Sequence, residues 1–153
     1  MAFLVTLTAL GGGKGIATFY RPCYKHIIDV CCEKYQMTKI SSESTDIINV
    51  YRSEGAQSAD FMKDLTSLLD LSKVTYLVGD FNLCYKSDRN HPILMELRFL
   101  GFEQMVKFPT HIAGRMIDHV HFHSSNVEAL MIKVQQKSPY FSDHDLLLVS
   151  EVG

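Results

Sequence analysis

The feature that most restricts the fold is a helix pattern followed closely by a buried-strand pattern. Over residues 58–70, apolar side chains recur every three or four positions, which predicts an amphipathic helix that Ser58 caps. Residues 74–78 then form a compact apolar run between Lys73 and Gly79, which is typical of a buried strand. A helix beside a buried strand indicates a layered α/β or α+β domain.

Other predicted elements support the same class. A second helix is predicted to begin at Pro92 and to stop at Gly101. Residues 21–44 fit neither a period of 2 nor a period of 3.6, so they stay unassigned, and the glycines at 11–13 predict a flexible turn. Further strands are predicted at residues 1–10, 14–20, 46–51, 117–122, 129–134 and 146–149.

Composition and charge exclude several classes of protein. The chain has 153 residues, of which 46% are hydrophobic and 21% charged, which suits one globular domain and excludes disordered, collagen-like and coiled-coil proteins. Its formal net charge of -2 provides no positive field over the whole molecule, so any polyanion site must be local. Because no apolar run approaches the roughly 18 residues of a membrane span, we expect a soluble intracellular protein with no membrane partner.

The cysteines do not form a metal-binding pattern. Cys23, Cys31, Cys32 and Cys84 lack the paired spacing of a zinc ribbon, and two adjacent cysteines make an awkward disulfide. We expect reduced thiols, with Cys31 and Cys32 as small core residues.

Three histidines alternate with a period of 2 along one predicted strand, at His119, His121 and His123, so all three side chains point to one face. One interpretation is a zinc site. However, alternate side chains lie about 7 Å apart, and short parallel side chains converge poorly on an ion that binds nitrogen at about 2.1 Å. The spacing therefore favours a solvated histidine face.

Three polar segments are candidates for catalysis, and each also has a structural interpretation. Residues 79–82 (GDFN) place Asp80 and Asn82 together, either to hold a water and a phosphate oxygen or to complete a turn. Residues 142–144 (SDH) place a metal-capable carboxylate beside an imidazole, or form a polar loop. Asp118 lies within an apolar strand, where an unpaired carboxylate is costly, so it needs a histidine or a metal as a partner.

Taken in order, these segments resemble the endonuclease/exonuclease/phosphatase family, and within it the endonuclease domain of LINE-type retrotransposons. The most telling stretch is residues 100–111 (LGFEQMVKFPTH), which leads through Gly114 to Asp118, because that subfamily has a closely similar stretch. The resemblance runs from about Gly11 to the C-terminus. The ordered motifs are residues 49–53 (NVYRS), 79–82 (GDFN), 108–111 (FPTH), 117–120 (IDHV) and 142–144 (SDH).

The resemblance implies a fold, a reaction and a substrate. The family is a two-sheet α/β sandwich that hydrolyses phosphodiesters or phosphomonoesters with Mg²⁺ or Mn²⁺ at one end of its two sheets. The resemblance to the LINE-type domain implies nicking of DNA, and with DNA as substrate we expect a nuclear location.

The resemblance also implies roles for individual side chains. Asp143 would be a carboxylate on the metal side, and His144 would act as a general base or stabilise the charged phosphate, with its ring oriented by Asp118. Asp80 would orient the attacking water or serve the leaving oxygen. The residues implied to contact the phosphate are Asn82, Tyr51 and Arg52, although Tyr51 and Arg52 also suit a plain sheet edge.

The sequence departs from the family near its beginning. The family usually carries an Asn on its first strand and a metal-binding Glu some tens of residues later, both before the stretch that residues 11–13 match here. Glu33, Glu43 and Glu54 all follow those glycines. We therefore expect one domain over residues 1–153 that is incomplete at its N-terminus.

Three functions are compatible with these observations. The first is a metal-dependent endonuclease. The second is a catalytically inactive truncated remnant of such a domain, which at most binds nucleic acid or a partner. The third is a small zinc protein that uses the histidines or the cysteines.

Overall fold

A computed structural model describes residues 5–8, 16–126 and 131–151. Its central element is a six-stranded sheet in which one pair of strands is parallel. β5 (Thr45–Arg52) and β6 (Val74–Asp80) run parallel, because α1 (Ser58–Leu68) crosses between them. The other strands of this sheet are β3 (Lys25–Cys31), β4 (Tyr35–Ser41), β7 (Glu103–Gln104) and β8 (Asp118–His123). The order across the sheet is β3-β4-β5-β6-β8-β7, and every pair except β5 and β6 is antiparallel.

Two helices cover one face of the sheet. Phe61 and Leu65 of α1 are fully buried, as are Ile93 and Leu97 of α2 (Pro92–Phe99), and they share one core with Ile48 of β5. Burial of side chains of this size stabilises the fold by about 1.5–3 kcal/mol each. Both predicted helices are confirmed.

The predicted cap of α1 is wrong. The helix begins at Ser58, but the cap position belongs to Gln57, whose side chain makes no cap hydrogen bond. In α2, the imidazole Nδ1 of His91 accepts a hydrogen bond from the backbone of Ile93 at 3.3 Å, and Pro92 occupies the first turn as predicted.

A second layer covers the opposite face of the sheet. β9 (Ile132–Lys137) and β10 (Leu146–Glu151) form an antiparallel pair. Val134 and Leu147 of this pair pack against Tyr76, Val78 and Val120 of the central sheet. A further antiparallel pair consists of β1 (Val5–Thr8) and β2 (Ile16–Phe19). This arrangement confirms the predicted α/β class with layered sheets.

The segment that had no clear periodicity contains the β3–β4 hairpin. β3 is an edge strand with nearly all of its residues exposed, so it lacks the alternation that marks a half-buried strand. The same position explains why Cys31 and Cys32 are exposed, which corrects the expectation that they belong to the core. All four cysteines are free thiols, as expected, and Cys84 is the buried one.

Some of the sequence predictions fall wholly or partly outside the described residues. The turn predicted at residues 11–13 lies outside the described residues, and so do the first two positions of the strand predicted at 129–134. Within the described ranges, neither helix combines the length and the apolar character needed to cross a membrane.

Candidate active site

Three polar residues lie side by side where three neighbouring strands meet one edge of the central sheet. In the strand register, Tyr51 of β5 pairs with Asp80 of β6, and Asp80 pairs with Asp118 of β8. Side chains alternate along strands, and Val78 and Val120 belong to the core that faces β9 and β10. The two carboxylates therefore lie on that face of the sheet.

His144 reaches these carboxylates from the segment that connects β9 to β10. Its Nδ1 lies 2.8 Å from Oδ2 of Asp118, and its Nε2 lies 4.0 Å from Oδ2 of Asp80. Backbone hydrogen bonds fix this segment against the loop before β8. The amide of Ile112 donates to the carbonyl of Asp143 at 2.8 Å.

Asp118 has the partners that its position in an apolar strand requires. Its side chain is only 10% exposed, and its Oδ2 accepts hydrogen bonds from both His144 and the hydroxyl of Thr110, the latter at 2.7 Å. The Thr110 hydroxyl in turn accepts a hydrogen bond from the Asp118 amide at 3.1 Å. The ring of His144 is therefore held by a carboxylate that is itself fixed in place.

The pKa values of His144 and Asp80 are both raised in this cluster. The hydrogen bond to Asp118 raises the pKa of His144 to about 9, against the opposing effect of burial. Burial, followed by the negative charge of Asp118, raises the pKa of Asp80 to about 7. At neutral pH the imidazole of His144 is thus a cation, while Asp80 is close to its midpoint of titration.

The loop after β6 is a tight turn that places Asn82 beside Asp80. The amide of Asn82 donates to Oδ1 of Asp80 at 2.9 Å, and its side-chain amide donates to the carbonyl of Arg52 at 2.7 Å. Asn82 has a φ of 49°, a left-handed conformation that asparagine tolerates better than most residues. The turn interpretation therefore holds for these residues, and the phosphate contact implied for Asn82 stays a prediction.

Arg52 has a different role from the predicted one. Its side chain is buried, and its guanidinium donates to the carbonyls of Phe81 and Ala56 at 3.2 and 3.1 Å. It holds the loop that follows β6 and does not present its donors to the cluster. The phosphate contact predicted for Arg52 is therefore corrected to a structural one.

The phenol of Tyr51 lies at the edge of the site, beside Asp80 in the strand register. Its ring is partly exposed, and burial together with the negative charge of Asp80 raises the pKa of the phenol above its ordinary value. The hydroxyl therefore stays protonated at neutral pH and is a hydrogen-bond donor.

Asp143 is the most exposed carboxylate of the cluster, with a side chain that is 63% exposed. Its Oδ1 lies 4.0 Å from Nε2 of His144, and its Oδ2 lies 3.3 Å from Nε2 of His111. Thr110 contacts Asp118 and His111 contacts Asp143, although the motif at residues 108–111 predicted no role for either. Membership of that motif is the one sequence signal that could have indicated these contacts.

Two overlapping groups of side chains could hold a metal ion. They are Asp80 with Asp118 and His144, and His111 with Asp143 and His144, and within each group the ligand atoms lie within 4.8 Å of one another. Mg²⁺ and Mn²⁺ prefer oxygen ligands and are commonly bound through one or two carboxylates, with water and phosphate completing the shell. Asp80 and Asp143, one from each group, provide such oxygens. The donor set therefore fits a divalent cation. Neither group contains a glutamate from the described ranges.

The three histidines of β8 point away from this site. His119 and His121 are fully buried on the helix side of the sheet, which contradicts the predicted solvated face. Nδ1 of His119 lies 3.1 Å from Nε2 of His121, and the ring of His119 stacks on Phe81 with centroids 4.9 Å apart. Burial lowers the pKa of His119 to about 4. Neither metal-capable group of the described chain includes a β8 histidine or a cysteine, so the geometry does not favour the zinc hypothesis.

A cleft of about 910 Å³ extends from the cluster between the sheet layers. Asp118 and His144 line it at one end, and Tyr76 and Glu151 line it further along, joined by a hydrogen bond of 2.8 Å. Two members of the cluster, Asp118 and His144, thus line a cleft between two sheet layers. Such clefts are common positions for binding sites.

Solved structures of known proteins have the same architecture. The endonuclease domain of TRAS1, a telomere-specific non-LTR retrotransposon, is 13% identical with a TM-score of 0.65, over 95% of this chain and 77% of that one. CdtB, the biologically active subunit of cytolethal distending toxin, is 14% identical with a TM-score of 0.64, over 98% of this chain and 66% of that one. Cytolethal distending toxin from Haemophilus ducreyi is 14% identical with a TM-score of 0.55, over 89% of this chain and 60% of that one.

The likeness to these structures concerns the fold. A scan against protein-family models and a search of curated proteins both find no match. The chain spans less than two thirds of the length of the two toxin chains. The predicted resemblance is confirmed at the level of the fold, since the chain shares the architecture of the TRAS1 endonuclease domain and of CdtB.

Proposed function

We propose that this chain, with its endonuclease/exonuclease/phosphatase fold, hydrolyses phosphodiester bonds and nicks DNA with the help of a divalent cation. The observation that carries the proposal is the pairing of His144 with Asp118 at 2.8 Å, beside a second carboxylate, Asp80, at the end of a cleft. The fold likeness to the endonuclease domain of TRAS1 supports the same reaction class.

In this proposal, His144 stabilises negative charge on the phosphate. Asp118 holds Nδ1, so Nε2 is the ring atom directed toward Asp80 and Asp143. A protonated imidazole at this place donates a hydrogen bond to a phosphate oxygen and neutralises charge that grows in the transition state. Asp118 is a positioning residue, because it touches the ring and not the substrate.

Asp80 acts on the attacking water or on the leaving oxygen. Its pKa of about 7 lets it accept a proton at neutral pH, and its Oδ1 is oriented by the amide of Asn82. The hydroxyl of Tyr51 donates a hydrogen bond to the phosphate or to the leaving group. Phosphoryl transfer depends mostly on such positioning and charge stabilisation, because it needs little covalent participation by the protein.

Asp143 is the carboxylate that would hold Mg²⁺ or Mn²⁺ in this chain, as the resemblance implies. Such an ion, when bound, polarises the phosphate and stabilises the oxygens that gain charge. The proposed DNA substrate is the basis for the predicted nuclear location, which stays a prediction.

A catalytically inactive domain is the second candidate. One observation favours it. The metal-capable groups of the described residues consist of aspartates and histidines, without the glutamate that the resemblance implies as a principal ligand. Such a domain would bind nucleic acid or a partner without cleaving it.

A plasmid assay separates the two candidates. Supercoiled plasmid is incubated with the purified chain and Mg²⁺ or Mn²⁺, and conversion to the open circle is measured for the wild type, His144→Ala and Asp118→Asn. His26→Ala is the matched control, because His26 forms an exposed pair with Asp29 on β3, outside the cluster. The nuclease proposal predicts nicking by the wild type and the control, and its loss in the other two variants. A folded wild type that never nicks supports the inactive domain instead.

A further inference from the structure

A patch of exposed apolar side chains lies beside the candidate active site. The side chain of Tyr140 is fully exposed at 101%, Phe141 is 59% exposed and Ile112 is 84% exposed. Tyr140 and Phe141 directly precede residues 142–144, while Ile112 directly follows His111. We call these three residues the aromatic patch.

Backbone pairing fixes the patch next to the catalytic cluster. His111 and His144 form an antiparallel bridge, and the amide of Ile112 donates to the carbonyl of Asp143 at 2.8 Å. The amide of Asp145 donates to the carbonyl of Thr110 at 2.7 Å on the other side of the bridge. Both segments of the patch are therefore held at the same rim as the His144 imidazole.

The exposure of the patch is not explained by packing in the described structure. Tyr140 and Phe141 contact each other edge to face, with centroids 5.5 Å apart and planes at 87°. This contact uses one face or edge of each ring and leaves the remaining ring surface in water. Single exposed apolar residues such as Phe99 are ordinary, whereas here three lie on two segments that are hydrogen-bonded to each other beside the cluster.

We propose that Tyr140 and Phe141 of the aromatic patch stack with unpaired bases of the DNA strand that the cluster cleaves. This inference rests on the proposed function, since it names the form of DNA that the site accepts. Aromatic rings bind unpaired bases of any sequence, because every base has an apolar face. The net charge of -2 provides no general attraction for DNA, so affinity for DNA depends on local contacts.

A tryptophan reporter tests the stacking directly. The chain contains no tryptophan, so Tyr140→Trp introduces a single fluorophore into the patch. The variant is titrated in EDTA with a single-stranded oligonucleotide, and with an abasic strand that carries the same number of phosphates. We expect quenching by the strand with bases and little by the abasic strand. Phe99→Trp, at an 89% exposed position on α2, is the matched control and should respond to neither.

An affinity measurement completes the test. The double variant Tyr140→Ala with Phe141→Ala should bind single-stranded DNA at least about fivefold more weakly, the loss expected when one stacked base loses its aromatic partner. Phe99→Ala should bind as the wild type does. Equal quenching of Tyr140→Trp by both strands, or unchanged affinity of the double variant, would overturn the proposal.

Further results separate stacking on DNA from dimerisation, and separate this inference from the nuclease proposal. If sedimentation shows that the wild type dimerises and the double variant does not, a second copy of the chain covers the patch, and the stacking proposal is wrong. Binding in EDTA requires no cleavage, so stacking by a protein that never nicks plasmid would contradict only the nuclease proposal. Metal-dependent nicking by a protein whose patch shows no stacking would contradict only this inference.

Discussion

The contact between His144 and Asp118 predicts a loss of stability at alkaline pH. The folded protein raises the pKa of His144 from 6.5 to about 9, so the folded state binds a proton more tightly than the unfolded state does. The resulting stabilisation is complete below pH 6.5 and is lost as the pH rises through 9. A pKa increase of this size corresponds to about 3 kcal/mol as an upper value. The side chain is 25% exposed, so water screens part of this interaction.

Urea denaturation between pH 6 and pH 10 measures this effect, with EDTA present to remove divalent cations. The wild type is compared with His144→Gln, which retains a hydrogen-bond donor but does not titrate. We expect the difference in unfolding free energy between them to shrink by about 2–3 kcal/mol from pH 6.5 to pH 9.5.

His26→Gln is the control for this experiment, because His26 and Asp29 also form a close pair but remain exposed to solvent. Pairs of that kind contribute little to stability. Its difference from the wild type should therefore change little with pH. If the curves of wild type and His144→Gln are parallel over this range, Asp118 does not hold a protonated imidazole, and the proposed role of His144 loses its physical basis.

Three further predictions concern the residues that support the site. Gly79→Ala should destabilise the fold by more than about 3 kcal/mol in urea denaturation, because φ is 136° and the new Cβ would lie 1.9 Å from a carbonyl oxygen of β5. Gly55→Ala, where the new Cβ would make only ordinary contacts with the Lys34 side chain, should stay within about 1 kcal/mol of the wild type, and equal losses would refute this account. Arg52→Met should cost about 2–4 kcal/mol, because two buried carbonyls lose their donors, and a neutral result would show that the Asn82 loop does not need them. The NMR titration of His119 should have its midpoint at about pH 4, and a midpoint near 6.5 would contradict its burial.

Elements with a strong period were predictable from the sequence. The stripe of α1 and the apolar run of β6 each reflect a simple environment, one face buried for the helix and both faces buried for the strand. β3 has no such signal, because an edge strand that is exposed along nearly its whole length selects no alternation.

The site was predictable through ordered motifs and not through single residues. Asp80, Asp118 and His144 were identified on the resemblance, and the strand register places the first two side by side. The resemblance did not indicate that Arg52 is buried, because the same residue type serves both to bind phosphate and to hold a loop.

The β8 histidines show a second limit of sequence reasoning. A period of 2 correctly placed all three on one face, but it did not tell which face meets the helices. Histidine is common at surfaces, whereas here His119 and His121 contact each other inside the core, and the carbonyls of Leu83 and Met116 complete the hydrogen bonds of His119.

The most direct test of the central claim is a titration of Mg²⁺ and Mn²⁺ into the purified chain, with thermal unfolding and plasmid nicking followed in the same samples. The account predicts that the melting temperature rises with metal concentration and that nicking appears over the same range. Both effects should be absent in Asp143→Ala. A cooperatively folded wild type whose melting temperature does not respond to either metal, and which leaves the plasmid supercoiled, would contradict the claim that this cluster is a working nuclease site.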